Sequence, residues 1–68
     1  MELIVNGHPT EAPERITVAQ LLEHLHLPAV RVAVELNRAI LPRKAFGQTT
    51  LTAGDRVEIV TLVGGGCR

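Results

Sequence analysis

Aromatic side chains are almost missing from this chain: Phe46 is the one Phe, and there is neither Trp nor Tyr. The core must therefore be assembled from Leu, Val, Ile and Ala. No set of rings is present on which nucleic-acid bases would stack. Seven Lys and Arg balance seven Asp and Glu, so the formal charge is zero and no basic run stands out. Without that electrostatic footprint, nucleic acid is disfavoured as a partner. Cysteine occurs once, as Cys67. An internal disulfide framework is excluded, which fits a reducing cytosol. The apolar runs fall far short of a membrane span. Acidic Glu2 follows Met1 where a secretory leader would carry positive charge. These shortages predict a small soluble cytoplasmic protein that engages neither nucleic acid nor membrane.

What is present is a 68-residue chain, 46% hydrophobic and 21% charged, the make-up of one globular domain rather than of a disordered segment. Leu3-Ile4-Val5 followed by Asn6-Gly7 reads as a strand entering a two-residue type I′ turn. The return strand runs over His8 to Ala12, with Pro9 suited to an edge that needs no ladder donor. Thr17-Val18-Ala19-Gln20 has the form of a capping box. Val18, Leu21, Leu22 and Leu25 then recur at helical spacing, one apolar stripe of a short helix that Pro28 is expected to stop.

From Arg31 to Leu36 the pattern alternates, placing Val32, Val34 and Leu36 on one face of a strand. Asn37-Arg38 is a turn into Ala39-Ile40-Leu41, which Pro42 ends. Residues Arg43 to Thr52 form a longer connection in which Phe46 and Leu51 are expected to plug the end of the core. Ala53-Gly54-Asp55 is a tight turn, and Arg56 to Val63 is the last strand. Val57, Ile59, Thr61 and Val63 lie on one side of it, Glu58, Val60 and Leu62 on the other. A hairpin, a crossing helix and further strands make a mixed sheet of four to five strands with one helix across one face. That is the ubiquitin-like β-grasp layout, an α+β architecture, with the first and last strands central and parallel. The reading divides the chain into a domain, residues 1–63, and a flexible glycine tail, residues 64–68.

The tail, Gly64-Gly65-Gly66-Cys67-Arg68, adds nothing to a core. Glycine costs the most backbone entropy to order and lets another molecule approach the main chain closely. The chain resembles the thiamine-pathway sulfur carrier proteins, small β-grasp proteins that end in Gly-Gly. The resemblance rests on Val5-Asn6-Gly7, Thr17 to Leu22, Val32 to Asn37, Leu41-Pro42-Arg43, Gly54 to Val60 and Val63 to Gly66, in order and at matching spacing. Two departures stand out. Arg38 occupies a turn position where the family often has Gly, and the chain continues through Cys67 and Arg68 where the family ends in a free glycine carboxylate.

The resemblance implies a carrier rather than an enzyme, a protein that supplies no catalytic group. The Gly66 carboxylate would attack the α-phosphate of ATP in the site of a ubiquitin-activating-like adenylating enzyme. Sulfur from a persulfide would displace the adenylate, and the thiocarboxylate would pass its sulfur to thiazole synthase. A processing protease would first remove Cys67-Arg68. Gly65 shares the reacting end, and Val60, Leu62, Val63 and Gly64 would meet the partner. No cofactor is expected on the chain itself; ATP belongs to the partner.

Val60 and Leu62, with Ile4, could form an exposed apolar patch, or could pack beneath the connection that carries Phe46. His8, His24 and His26 are too scattered for a metal set, and Asp55 reads as turn chemistry. Two other readings stand beside the leading one. One is a carrier for another acceptor: molybdopterin, cysteine or tRNA thiolation. The other is a β-grasp interaction module or ubiquitin-like modifier.

Overall fold

The computed structural model of the chain describes residues 1–62. Strands β1 (Glu2–Val5) and β2 (His8–Glu11) pair antiparallel, with Val5 opposite His8. Between them Asn6 and Gly7 both take positive φ, 52° and 81°. A type I′ turn requires that pair of left-handed residues, and Asn-Gly supplies it with little strain. β2 is an edge of the sheet, so the N–H that Pro9 lacks faces no further strand.

Helix α1 (Val18–His24) opens on the expected capping box. The Gln20 N–H donates to Thr17 Oγ1 at 3.1 Å, and the Thr17 N–H donates to Gln20 Oε1 at 2.9 Å. The remaining N–H groups of the first turn are met from further along the chain. Val18 donates to the Thr49 carbonyl and Ala19 to the Phe46 carbonyl, each at 3.0 Å. All four donors that a helix start leaves over thus find acceptors. The connection from Arg43 to Thr52 therefore caps the helix as well as linking two strands.

The helix stops before Pro28, which corrects the expectation from sequence. His26 takes φ 61°. His26 and Leu27 donate back to the carbonyls of Glu23 and Leu22, at 3.0 and 2.8 Å. This left-handed cap satisfies the last carbonyls and ends the helix on its own. It is hard to see in the sequence because Gly usually holds that position, and here it is His.

A 3-10 turn at Ala29–Arg31 leads into β3 (Val32–Leu36). A second pair of positive φ angles, Asn37 at 50° and Arg38 at 74°, turns the chain into β4 (Ala39–Leu41). Another 3-10 turn at Arg43–Ala45 starts the connection. β5 (Arg56–Thr61) then inserts between β1 and β3, giving the five-strand order β2-β1-β5-β3-β4. It runs parallel to β1 and antiparallel to β3. This is the predicted β-grasp arrangement.

One face of the sheet supplies Leu3, Val5, Val32, Val34, Val57 and Ile59 to the core, and α1 supplies Val18, Leu21 and Leu22. Phe46 and Leu51, both buried, close it as expected. Leu25, the last residue of the predicted stripe, caps the helix and is only partly buried. Thr61 continues the inward row of β5, yet it is exposed.

Arg38, at φ 74°, is at odds with its backbone. A non-glycine side chain in the left-handed region costs about 1–2 kcal/mol, part of which glycine gives back as entropy. Arg38→Gly is therefore expected to stabilise the fold by about 0.5–1 kcal/mol. Thermal unfolding would show this as a rise of a few degrees in midpoint.

Candidate functional site at the exit of the last strand

The peptide groups of β5 alternate between its two neighbours, and that alternation fixes what happens where the strand leaves the sheet. Toward β3, the Asn37 N–H donates to the Arg56 carbonyl at 2.8 Å, and the Leu62 N–H donates to the Arg31 carbonyl at 2.7 Å. Even-numbered residues of β5 therefore face β3. Toward β1, the Ile4 N–H reaches the Asp55 carbonyl and the Asn6 N–H the Val57 carbonyl, both at 2.9 Å. β1 ends there as a strand, and the Asn6 side chain takes over. Its Oδ1 accepts from the Ile59 N–H at 2.7 Å, and its Nδ2 donates to the Ile59 carbonyl at 3.2 Å. One amide side chain thereby stands in for the next strand residue.

The sheet face away from α1 carries the other half of β5. Glu58 lies opposite Glu35 and Val60 opposite Ala33, while Ile40 on β4 lies opposite Glu35. Val60 is 59% exposed and Leu62 48% exposed. Phe46 belongs to the buried core on the helix side, so the connection does not cover them. Of the two packing arrangements open to these residues, the exposed patch is the one found. Ile4, half-buried, pairs with Arg56 on the same face.

Arg43 reaches elsewhere. Its Nη2 donates at 3.3 Å to the Val30 carbonyl, next to the Arg31 carbonyl that holds Leu62. The exit of β5 is thus gripped by the turn before β3, and that turn is tied in place by Arg43.

Of the residues expected to meet a partner, Val60 and Leu62 are brought together at this exit. Val63, Gly64, Gly65 and Gly66 lie outside the described residues, as do Cys67 and Arg68. Asp55 does turn work: Oδ2 accepts from the Thr52 N–H at 2.9 Å and Oδ1 from Asn37 Nδ2 at 3.2 Å. Among the described residues no group of three or more His, Cys, Asp or Glu is placed to hold a metal ion, and no helix is long and apolar enough to cross a membrane. Sequence reasoning missed the clamp made by Asn6. The available signal is an Asn directly after a strand, which the turn alone already accounts for.

Residues 3–66 match the model of the ThiS family. The crystal structure of a thiamine biosynthesis protein (ThiS) from Geobacter metallireducens is 43% identical, with a TM-score of 0.84, covering 97% of this chain and 100% of that one. A thiazole synthase from Paramagnetospirillum magneticum is 38% identical over 66 residues, covering 97% of this chain but 20% of that protein. The sulfur carrier protein ThiS of Escherichia coli is 27% identical over 66 residues, covering 97% of this chain and 100% of its own.

The Asn6 clamp gives a direct test. Asn6→Gly keeps the positive φ but removes both side-chain bonds to the part-buried Ile59 peptide. Urea denaturation of this variant is expected to show a loss of about 1–3 kcal/mol.

Proposed function

The chain belongs to the ThiS family, and from that premise we propose that it is a sulfur carrier in thiamine biosynthesis whose reactive group is the carboxylate of Gly66. The family match ending on Gly66 is the observation that carries this reading. Cys67 and Arg68 lie beyond it, so the Gly66–Cys67 peptide bond must be cut before a carboxylate exists, a task for a processing protease.

The chemistry follows from what a carboxylate is and is not. With a pKa of about 3.3–3.7 it is ionised at neutral pH, and it is a poor acyl donor until activated. Attack of a Gly66 oxygen on the α-phosphate of ATP, with pyrophosphate leaving, gives an acyl-adenylate. The outer sulfur of a persulfide then displaces AMP to give an acyl disulfide. A second thiol attacks that disulfide at the sulfur distal to the acyl group, forming a new disulfide and releasing the Gly66 thiocarboxylate. The ATP and the catalytic groups belong to the adenylating enzyme; the chain is its co-substrate.

Physical placement supports the assignment. Leu62 is held by its last backbone bond to Arg31. The four residues from there to Gly66 span about 13–14 Å when extended, at roughly 3.3–3.6 Å each. That length carries the reacting atom from the sheet into a site inside another protein. Gly64, Gly65 and Gly66 keep the thread thin. Thiazole synthase as acceptor is supported by the Paramagnetospirillum protein, where a segment similar to this chain makes up a fifth of a thiazole synthase. The exposed Val60 and Leu62, at the root of the tail, are the surface on which either partner would dock.

Intact mass spectrometry of the protein from cells making thiamine tests the chemistry. The expected species has lost everything after Gly66 and has sulfur in place of one oxygen; an unaltered full-length mass would overturn the reading. Gly65→Val and Gly66→Val, made in a chain ending at residue 66, are expected to fold normally and to resist adenylation in a reconstituted pyrophosphate-release assay. Val60→Asp should leave thermal stability within about 0.5 kcal/mol and weaken binding to the adenylating enzyme about ten- to a hundred-fold. Isothermal titration reads that loss directly.

A further inference from the structure

The chain holds two asparagines, Asn6 and Asn37, and they stand in matching places. Each opens a turn at positive φ, 52° and 50°, and each is followed by a second left-handed residue, Gly7 at 81° and Arg38 at 74°. Each also has its side-chain amide engaged at both ends. Asn6 accepts from the Ile59 N–H and donates to the Ile59 carbonyl; Asn37 accepts from the Arg56 N–H and donates to Asp55. What differs is the residue that follows. Gly7 has no side chain, and no atom beyond its chain neighbours lies within 4 Å of where a Cβ would stand. Arg38 carries a full side chain at the equivalent point.

That difference decides which amide is chemically safe. An asparagine Cγ is an electrophile for the main-chain nitrogen of the next residue. The nitrogen bonds to Cγ, its proton passes to solvent base, and the side-chain nitrogen leaves as ammonia. Water then opens the resulting succinimide at either carbonyl, to aspartate or to isoaspartate. Overall, one water enters and one ammonia departs. A Cβ on the following residue crowds the attacking nitrogen, and glycine has none.

We propose that Asn6-Gly7 is a site of spontaneous deamidation, gated by the clamp on Ile59, and that the product unhooks β5 from that clamp. Ring closure draws Cγ onto the chain's own nitrogen and expels the NH2, so the amide must first leave Ile59. The bonds at 2.7 and 3.2 Å hold the reaction back. Asn6 is exposed, so water and base reach it whenever the clamp opens. Aspartate at this position still accepts from the Ile59 N–H, but it sets a carboxylate oxygen against the Ile59 carbonyl where Nδ2 donated. Isoaspartate also lengthens the main chain inside a turn that depends on two left-handed residues. Either product leaves the Ile59 carbonyl without its partner, and the exit of β5 then hangs on β3 alone, through Leu62 and Arg31. At the other clamp, Arg38 shields Asn37 from the same loss, a gain set against the strain of its backbone. The reaction needs only water and stands apart from the carrier chemistry.

Peptide mapping by mass spectrometry, on the full chain held at physiological temperature and mildly alkaline pH, reads both sites at once. Asn6 is expected to convert at least about tenfold faster than Asn37. It should convert at least about tenfold more slowly in the folded chain than in the same chain unfolded in urea. Arg38→Gly keeps a residue suited to the turn and should speed conversion of Asn37 at least about tenfold. The deamidated protein, separated from its parent by ion exchange, is expected to unfold at least about 4 °C lower.

An Asn6 that never converts in the folded chain would overturn the proposal, and so would an Asn37 that keeps pace with it. Equal rates in the folded and urea-unfolded chain would remove the gate. An Asn37 unaffected by Arg38→Gly would remove the shield, and a deamidated chain that unfolds at the temperature of its parent would show that the clamp survives. Each of these outcomes counts against the proposal and leaves the sulfur chemistry untouched.

Discussion

The fold turns on how one strand is held where its neighbour stops. At Ile59 an amide side chain replaces the missing strand, accepting at 2.7 Å and donating at 3.2 Å. A peptide group left bare in a part-buried position would cost more than the bond is worth in net stability. Asn6 avoids that cost, and it does so while making the turn. Asn37 acts in the same way at the other end of β5. Its Oδ1 accepts from the Arg56 N–H at 2.9 Å, its own N–H donates to the Arg56 carbonyl, and its Nδ2 reaches Asp55. Both asparagines open type I′ turns at positive φ. β1 is parallel to β5 and β3 antiparallel to it, so the turn after β1 grips the far end of β5 and the turn after β3 grips its start. The central strand is clamped at both ends by side chains, and past Ile59 it stays bonded to β3 as far as Leu62.

A second constraint divides the two faces of the sheet. α1 has seven residues, too few to be stable by itself. It persists because its apolar stripe lies on the sheet and its opening N–H groups are met by Thr17, Phe46 and Thr49. The connection that supplies two of those acceptors also buries Phe46 and Leu51. Helix and connection thus close the inner face as one unit, and an almost wholly aliphatic core suffices. Among the described residues none covers the outer face at Val60 and Leu62. The exposure of Val60 and Leu62 follows from where the connection goes, not from a shortage of apolar residues elsewhere.

Much of this was legible in the sequence because the signals are local. Asn6-Gly7 implies its turn, Thr17 and Gln20 imply a helix start, and the alternation from Val32 to Leu36 implies a strand with one buried face. The order of those elements then leaves few topologies open. What could not be read is whatever depends on contacts distant in sequence. The two carbonyls that cap α1 come from about thirty residues downstream, and the Asn6 clamp spans 53 positions. The end of α1 was misplaced because His26 holds a conformation that composition assigns to glycine, so Pro28 drew the boundary instead. The orientation of Val60 and Leu62 was clear from period alone. Their exposure was not, since the path of the connection had to be known first.

The division of labour within the carrier follows from the nature of glycine. Gly64, Gly65 and Gly66 offer a partner no side chains to recognise, only peptide groups and, after the proposed cleavage, a carboxylate. Any protein ending in glycine presents the same atoms. Discrimination must therefore reside upstream, on the outer face of β5 and its root, held by Asn6 on one side and by Arg31 and Arg43 on the other. Rigidity there matters for a geometric reason. If Gly66 reacts as proposed, the reacting carbon is four residues past Leu62 in sequence, and a small rotation of the strand at the Leu62–Arg31 hydrogen bond would be magnified over that length. On the proposed reading, a clamp of ordinary hydrogen bonds at the exit would govern where the Gly66 carboxylate is delivered, although the clamping residues supply none of the reacting groups.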